Sequence, residues 1–251
     1  AALYGHFEGA KRLSGKAEGN ISIFWFDHGW FWFIPLHDGA TSVGAVCWPY
    51  YMKSRKTSPS QFLLDTIALA PALADRLKDA HLIAPATATG NYSYQAQHMA
   101  GDNYILLGDA YAFIDPVFST GVYLAMNSAF IGAETEATCL DKPQQAAQAL
   151  RQFDEHVRGG LESFKWFIYR LTTPSLRDLF ISPKNVFRVQ EGVLSLLAGD
   201  VFRREIRLGP KLLGFKFFYY ATNLVHLSRS FGAWRRRKQI IRDPQMECAA
   251  S

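Results

Sequence analysis

Only three cysteines, Cys47, Cys139 and Cys248, occur in 251 residues, and no two form a Cys-x-x-Cys pair. This indicates neither a disulfide framework nor a zinc site, and a reducing cytoplasm is the default compartment. No His-Glu-x-x-His occurs, and His6, His28, His37, His81 and His98 lack metal-ligand spacing. They are expected in turns or at the surface, and no metal is expected. Ser119 and His98 make no hydrolase signature without Gly-x-Ser-x-Gly. Nor is there a Gly-x-Gly-x-x-Gly turn to cradle a pyrophosphate, because Gly5, Gly9, Gly15 and Gly19 are wrongly spaced. The uncharged run at residues 116–133 contains Pro116, Ser119, Gly121, Asn127 and Ser128, so it reads as a buried helix and not a membrane span. No signal segment, internal repeat or low-complexity tract is present.

What the chain does have is a globular composition: 49% hydrophobic, 20% charged, with 19 Phe, 11 Tyr and 6 Trp. Its length fits one large domain or two small ones. The net charge of +5 is local: eleven Lys or Arg but one acid, Glu205, lie between Arg203 and Arg242. The densest run is Trp234-Arg235-Arg236-Arg237-Lys238. Such a run is a solvated tail or a surface for an acidic partner, an anionic membrane face or nucleic acid. No zinc-finger, RRM or helix-turn-helix pattern supports nucleic acid as that partner. The chain begins at Ala1 without Met, which suggests a processed or incomplete polypeptide.

Residues 1–52 read as strands joined by turns at Asp27-His28-Gly29 and His37-Asp38-Gly39, which implies an antiparallel meander. Ser58 as N-cap, Pro59 at the first turn and Gln61 in a capping box predict a helix. Residues 87–97 return to β, and 103–107 read as a buried strand. Another helix starts at Asp141-Lys142-Pro143, with Leu150, Phe153, Val157, Leu161, Phe164 and Ile168 at helical spacing. Residues 184–240 look mainly helical. We divide the chain into 1–140 and a helical carboxyl-terminal region, 141–251.

The chemistry concentrates between Tyr104 and Val122. An apolar run ends in Gly108-Asp109-Ala110, followed by Asp115-Pro116 and Ser119-Thr120-Gly121-Val122. Gly108 removes a side chain where a ligand could approach. Asp109 can accept hydrogen bonds from a sugar-like or ribitol hydroxyl. Pro116 fixes φ before the turn. A helix opened by Ser119-Thr120-Gly121 offers N–H groups without intrahelical partners, and its dipole favours partial negative charge. A flavin pyrimidine edge has that character, and so does a halide.

At these residues the chain resembles the flavin-dependent halogenases and the wider FAD-dependent aromatic monooxygenases. Their second flavin motif is a hydrophobic strand, Gly-Asp-Ala, then Asp-Pro-x-x-Ser-(Ser/Thr)-Gly-(Val/Ile). The resemblance implies cofactor contact by Gly108, Asp109, Ala110, Pro116, Ser119, Thr120, Gly121 and Val122. Asp109 would meet the ribitol, and Thr120, Gly121 and Val122 would lie beside the isoalloxazine. Amides around Thr120 and Gly121 would also hold the halide. Phe118 stands where tryptophan halogenases tend to carry Glu, which looks more like the phenol or pyrrole branch.

Trp30-Phe31-Trp32-Phe33-Ile34-Pro35 matches the family's Trp-x-Trp-x-Ile-Pro element. Alternation puts Trp30, Trp32 and Ile34 on one face of a strand and Phe31 and Phe33 on the other, so both faces are expected to be covered. The resemblance makes Trp30, Trp32, Ile34 and Pro35 the wall of a tunnel that screens the flavin.

The implied fold is α/β of the FAD-dependent monooxygenase/halogenase type, α+β in the part present. It comprises an antiparallel substrate-side sheet, a closing flavin loop and a helical carboxyl-terminal region. The implied enzyme is a flavoprotein oxidoreductase of secondary metabolism. It would use FAD reduced by a separate flavin reductase, with O₂ and chloride or bromide as co-substrates. A flavin C4a-hydroperoxide would yield hypohalous acid, which halogenates a small electron-rich aromatic, free or on an acyl or peptidyl carrier protein. The family's opening Gly-x-Gly-x-x-Gly part and its catalytic Lys are absent, so no catalytic residue is assigned and a missing N-terminal half is expected. Alternatives are an FAD-dependent aromatic hydroxylase or reductase sharing the Gly-Asp loop, and a non-catalytic fragment that docks an acidic partner.

Overall fold

A computed structural model describes residues 1–90, 92–101, 103–170 and 208–225, with residues 173, 175–176, 191, 194–195, 231–232, 234–235 and 238. The chain forms two compact units, Ala1–Asn91 with Phe231–Ser251, and Tyr92–Ser230.

The first unit is built on an antiparallel sheet. Its strands are β1 (Ala2–Glu8), β2 (Ser22–Phe26), β3 (Gly29–Pro35) and β4 (Thr41–Cys47), flanked by the short β5 (His81–Leu82) and β6 (Thr87–Thr89). The spatial order is β2-β3-β4-β1, and β5 and β6 pair with successive parts of the remaining edge of β1. The expected meander holds for β2, β3 and β4. It fails at β1, which pairs with β4 in the register Leu3↔Ala45, Gly5↔Val43 and Phe7↔Thr41. A tight turn would have placed β1 beside β2. The long link of residues 9–21 instead lets the chain cross the sheet.

The turn into β4 follows its residues. Gly39 takes φ +92, and Asp38 Oδ1 accepts the Ala40 N–H at 3.0 Å. One sheet face carries Leu3, Phe7, Phe31, Phe33, Val43 and Ala45, all fully buried. Helices α1 (Pro49–Lys53), α2 (Pro59–Ala68) and α3 (Pro71–Leu77) follow β4. They supply Tyr51, Phe62, Leu63, Ile67 and Leu73 to the same core. Each such large side chain contributes about 1.5–3 kcal/mol by leaving water. Ser58 caps α2, its Oγ accepting the Gln61 N–H at 3.2 Å. The Gln61 side chain bonds Asp65 at 2.8 Å, one turn onward, so the reciprocal half of the expected capping box is not formed. His28 occupies its turn but is fully buried, stacked on Tyr51 at 4.1 Å. Burial lowers its pKa and keeps the ring neutral.

The opposite face of β3 is less covered than expected. There Trp30 is buried and Trp32 and Ile34 are half-buried; Pro35, at the strand end and on the other face, is half-buried too. Trp32 lies across Gly44, donates its indole N–H to Ser42 at 3.1 Å, and meets Tyr4 with ring centroids 5.9 Å apart. The cross-strand row Tyr4, Gly44, Trp32 explains the glycine: a Cβ there would sit 2.2 Å from the indole.

The second unit opens with two-residue strands: β7 (Tyr94–Gln95), β8 (Ala100–Gly101), β9 (Tyr104–Ile105) and β10 (Ala112–Phe113). β7 pairs with β10 and β8 with β9. The buried strand expected at 103–107 is thus only a short hairpin arm, and Tyr104 is half exposed, its ring folded over Gly101. Helix α4 (Gly121–Asp141) runs well past the expected uncharged stretch. Pro143 interrupts the chain, and α5 (Ala146–Ile168) runs back along α4. This pairing places both helices in one compact unit, Tyr92–Ser230. Phe153, Val157, Leu161, Phe164 and Ile168 are buried at the expected spacing, and Gly159-Gly160 leaves α5 unbroken. Helix α6 (Leu208–Val225) presses Phe215 and Tyr219 against Phe167 and Trp166, with centroids 5.2 and 5.4 Å apart. Among the described residues no helix is long and apolar enough to cross a membrane. Arg203, Arg236, Arg237 and Arg242 of the basic stretch lie outside the described residues, as do Cys248, Pro174 and Pro183.

Candidate functional site

The Gly-Asp loop and the start of α4 face a single cleft of about 510 Å³. Seven of the eight expected cofactor residues line it: Gly108, Asp109, Pro116, Ser119, Thr120, Gly121 and Val122. Ala110 does not; its N–H closes the turn onto the Leu107 carbonyl at 3.0 Å.

Gly108 begins a single turn of 3₁₀ helix, Gly108–Ala110, with φ +50, and packs against α4. A Cβ there would fall 2.7 Å from the Ala125 Cβ and 3.0 Å from its Cα. The Gly108 N–H donates to Ser128 Oγ at 2.9 Å, and that hydroxyl donates onward to the Ala125 carbonyl at 2.9 Å. The loop is thereby pinned to the flank of α4. Asp109 remains exposed at the cleft.

Asp115 accepts the Val117 N–H at 3.0 Å and starts a second 3₁₀ turn, Pro116–Phe118. Ser119 follows with φ 53, a left-handed conformation unusual for a residue with a Cβ. It redirects the chain into α4. Thr120, buried at 7% exposure, is the residue before the helix, and its side chain makes no capping bond. The first turn of α4 therefore meets the cleft without a side-chain cap of its own, a geometry suited to a partly anionic ligand.

Desolvation by burial raises the Asp115 carboxyl to about 6, opposed in part by the Val117 amide. The fold thus favours the neutral acid. Its contribution, up to about 3 kcal/mol, is full below the ordinary aspartate range and is lost as pH rises through about 6. Asp115→Asn stays neutral and keeps the acceptor for Val117. Urea unfolding between pH 4 and 7 is therefore expected to show a decline in the parent that the variant lacks. Equal declines in both would refute this assignment.

A family signature described as "Tryptophan halogenase" matches residues 20–177. The chain belongs to the flavin-dependent halogenases. It is 35% identical over 142 residues to the flavin-dependent halogenase gsfI of Penicillium aethiopicum, covering 54% of this chain and 27% of that protein. It is 30% identical over 173 residues to a 1H-pyrrole-2-carbonyl-(peptidyl-carrier protein) chlorinase of Pseudomonas fluorescens, covering 69% of this chain and 38% of that protein. The chain thus spans well under half the length of these curated relatives. The structure of the myxobacterial chondrochloren halogenase CndH superposes with TM-score 0.64 at 29% identity, over 89% of this chain and 54% of that one. A triple mutant of the flavin-dependent brominase Bmp2 gives TM-score 0.73 over 86% of this chain and 54% of that one. Its 22% identity attests the fold alone.

In this cleft the sequence did not single out Leu107, Ala112, Phe113, Ile114, Leu124 or Ala125. The signal for two of them was present: Gly121, Leu124, Ala125 and Ser128 recur at helical spacing on one face of α4. Tyr92 and Tyr94, which border the Gly-Asp loop, stand outside the lining. Tyr92 packs edge-on against Phe113 at 5.7 Å, and the Tyr94 hydroxyl donates to the Asp109 carbonyl. Trp30, Trp32, Ile34 and Pro35 belong to the first unit.

Proposed function

We propose that this chain supplies the substrate-side sheet and the second flavin-contacting loop of an FAD-dependent halogenase. Its substrate would be an electron-rich aromatic of the phenol or pyrrole type, free or carried on an acyl or peptidyl carrier protein. The observation that carries the reading is the cleft, where an exposed aspartate at a Gly-Asp turn faces a helix start without a side-chain cap. The residues fit a flavin: Asp109 accepts from hydroxyls, Gly121 leaves room for close approach while the side of Gly108 expected to face a ligand is taken by Ala125 of α4, and the lining is mainly apolar. Bound FAD, reduced by a partner flavin reductase, would supply the electrons for O₂ activation and hence oxidation of chloride or bromide.

The chain's own residues bind and orient. Asp109 would hold the ribitol. Thr120 and Gly121 would present amide hydrogens to the ring edge and to the halide. Trp30, Trp32, Ile34 and Pro35 would wall the passage to the aromatic substrate. Phe118, where related enzymes tend to carry Glu, supports the phenol or pyrrole branch. The test is product mass from the full-length protein with a flavin reductase, O₂, and chloride, bromide or neither. Halide-dependent mass gain is expected; gain of oxygen alone would make the protein a hydroxylase. Flavin titration of these 251 residues alone is expected to show weak binding or none, and a tight stoichiometric complex would contradict that.

A further inference from the structure

A polar chain links the last turn of α5 to the Gly-Asp turn. Lys165, largely buried at 17% side-chain exposure, donates to Gln95 Oε1 and, at 2.8 Å, to Glu162 Oε1. Gln95 Nε2 donates to the Tyr111 hydroxyl at 2.6 Å. Tyr111 is almost fully buried and ends the turn, its N–H donating to the Gly108 carbonyl at 3.0 Å. β7 holds the same segment from its backbone side, because the Ala96 N–H donates to the Tyr111 carbonyl at 2.8 Å. Chemistry fixes the direction of this chain. An ammonium only donates, so the amide oxygen of Gln95 must face Lys165 and its NH₂ must face the phenol. Arg158, the other cation of α5 close to Tyr111, is committed to Asp154 in a bidentate pair with 2.7 and 3.1 Å contacts.

We infer that Lys165 is a positioning residue: through Gln95 it orients Tyr111 and so fixes the Gly108–Tyr111 turn that presents Asp109. This rests on the reading of the cleft as the FAD site, and it concerns residues that do not themselves line the cleft. Lys165 and Tyr111 act through one intervening amide, so their effects should be coupled although the two side chains do not touch.

The test uses the full-length protein with Lys165→Met, Tyr111→Phe, the double variant and Gln95→Glu. Amide hydrogen exchange at residues 108–111 is measured without ligand, and FAD affinity by titration. Lys165→Met and Tyr111→Phe are each expected to speed exchange at the turn about tenfold and weaken FAD about tenfold, the worth of one hydrogen bond. The double variant is expected to be no worse than either single one. Gln95→Glu keeps a partner for Lys165, and its carboxylate accepts from the Tyr111 hydroxyl in place of the lost amide N–H, so it should hold the turn as the parent does. Unchanged exchange in Lys165→Met, a turn loosened in Gln95→Glu as far as in Lys165→Met, or losses that multiply in the double variant would overturn the inference. If the parent protein binds no FAD while the exchange pattern holds, the FAD reading fails and the strut stands.

Discussion

Gly108→Val is expected to unfold or severely loosen the loop and abolish flavin binding. Two independent costs meet at this residue. Its φ of +50 lies where a β-branched side chain is strained, a penalty of about 1–3 kcal/mol. Its absent Cβ is also the space taken by α4, since the added atom would sit 2.7 Å from the Ala125 Cβ and 3.0 Å from backbone. Overpacking of that kind costs about 1–3 kcal/mol more, because a helix backbone cannot rotate aside as a side chain can. The sum, roughly 2–6 kcal/mol, is a large part of a typical domain's stability. Gly108→Asn separates the two costs. Asparagine tolerates the left-handed conformation but still carries a Cβ. Denaturant unfolding should therefore find the Asn variant less impaired than Val yet clearly below the parent. Parent-like stability and FAD affinity in Gly108→Asn would mean that α4 yields, and the close-packing account would be wrong.

The legible parts of this molecule are those whose cause is local. The turn at Asp38-Gly39, the Ser58 cap, the buried spacing of α5 and the two flavin-type motifs each follow from a few neighbouring residues. Partner choice in the sheet was not legible. Nothing in residues 2–8 states that they pair with 41–47, because that pairing depends on how the intervening link crosses the sheet. The extent of β9 was also overread. An apolar run at 104–107 satisfies a strand pattern, but strands exist only through partners, and Ala100-Gly101 offers only two residues.

The candidate site divides in the same way. Gly108, Asp109, Thr120 and Gly121 stand out because a fixed chemistry needs these residue types near one another. Phe113 and Ile114 line the same cleft, yet their sequence reads as ordinary core, and only folding reveals which apolar residues face a hollow. Tyr111, Gln95 and Lys165 were invisible for a different reason. They lie up to 70 positions apart, and each alone is an unremarked polar or aromatic residue. His28 shows the converse error. A histidine in a tight turn reads as exposed, but β2 and β3 bring this one inward onto Tyr51.

Gly121→Ala offers the sharpest separation of ligand from fold. Here the protein itself gives no reason for glycine. An added Cβ would meet only the Phe113 ring, at 3.7 Å, an ordinary contact, and φ is not in the left-handed range. Alanine is the better helix former by about 0.8–1 kcal/mol in a helix interior, so stability should hold or rise slightly at this first-turn position. The extra methyl nevertheless projects beside Thr120, at the helix start proposed to receive the flavin edge and the halide. Displacement of a reacting group by about 1 Å can cost about 100-fold in rate. The expected result is a stable full-length variant with halide-dependent turnover reduced about 100-fold and a weakened halide dependence. A variant equal to the parent in turnover would leave Gly121 with no ligand to make room for, and would remove the start of α4 from the proposed halide site.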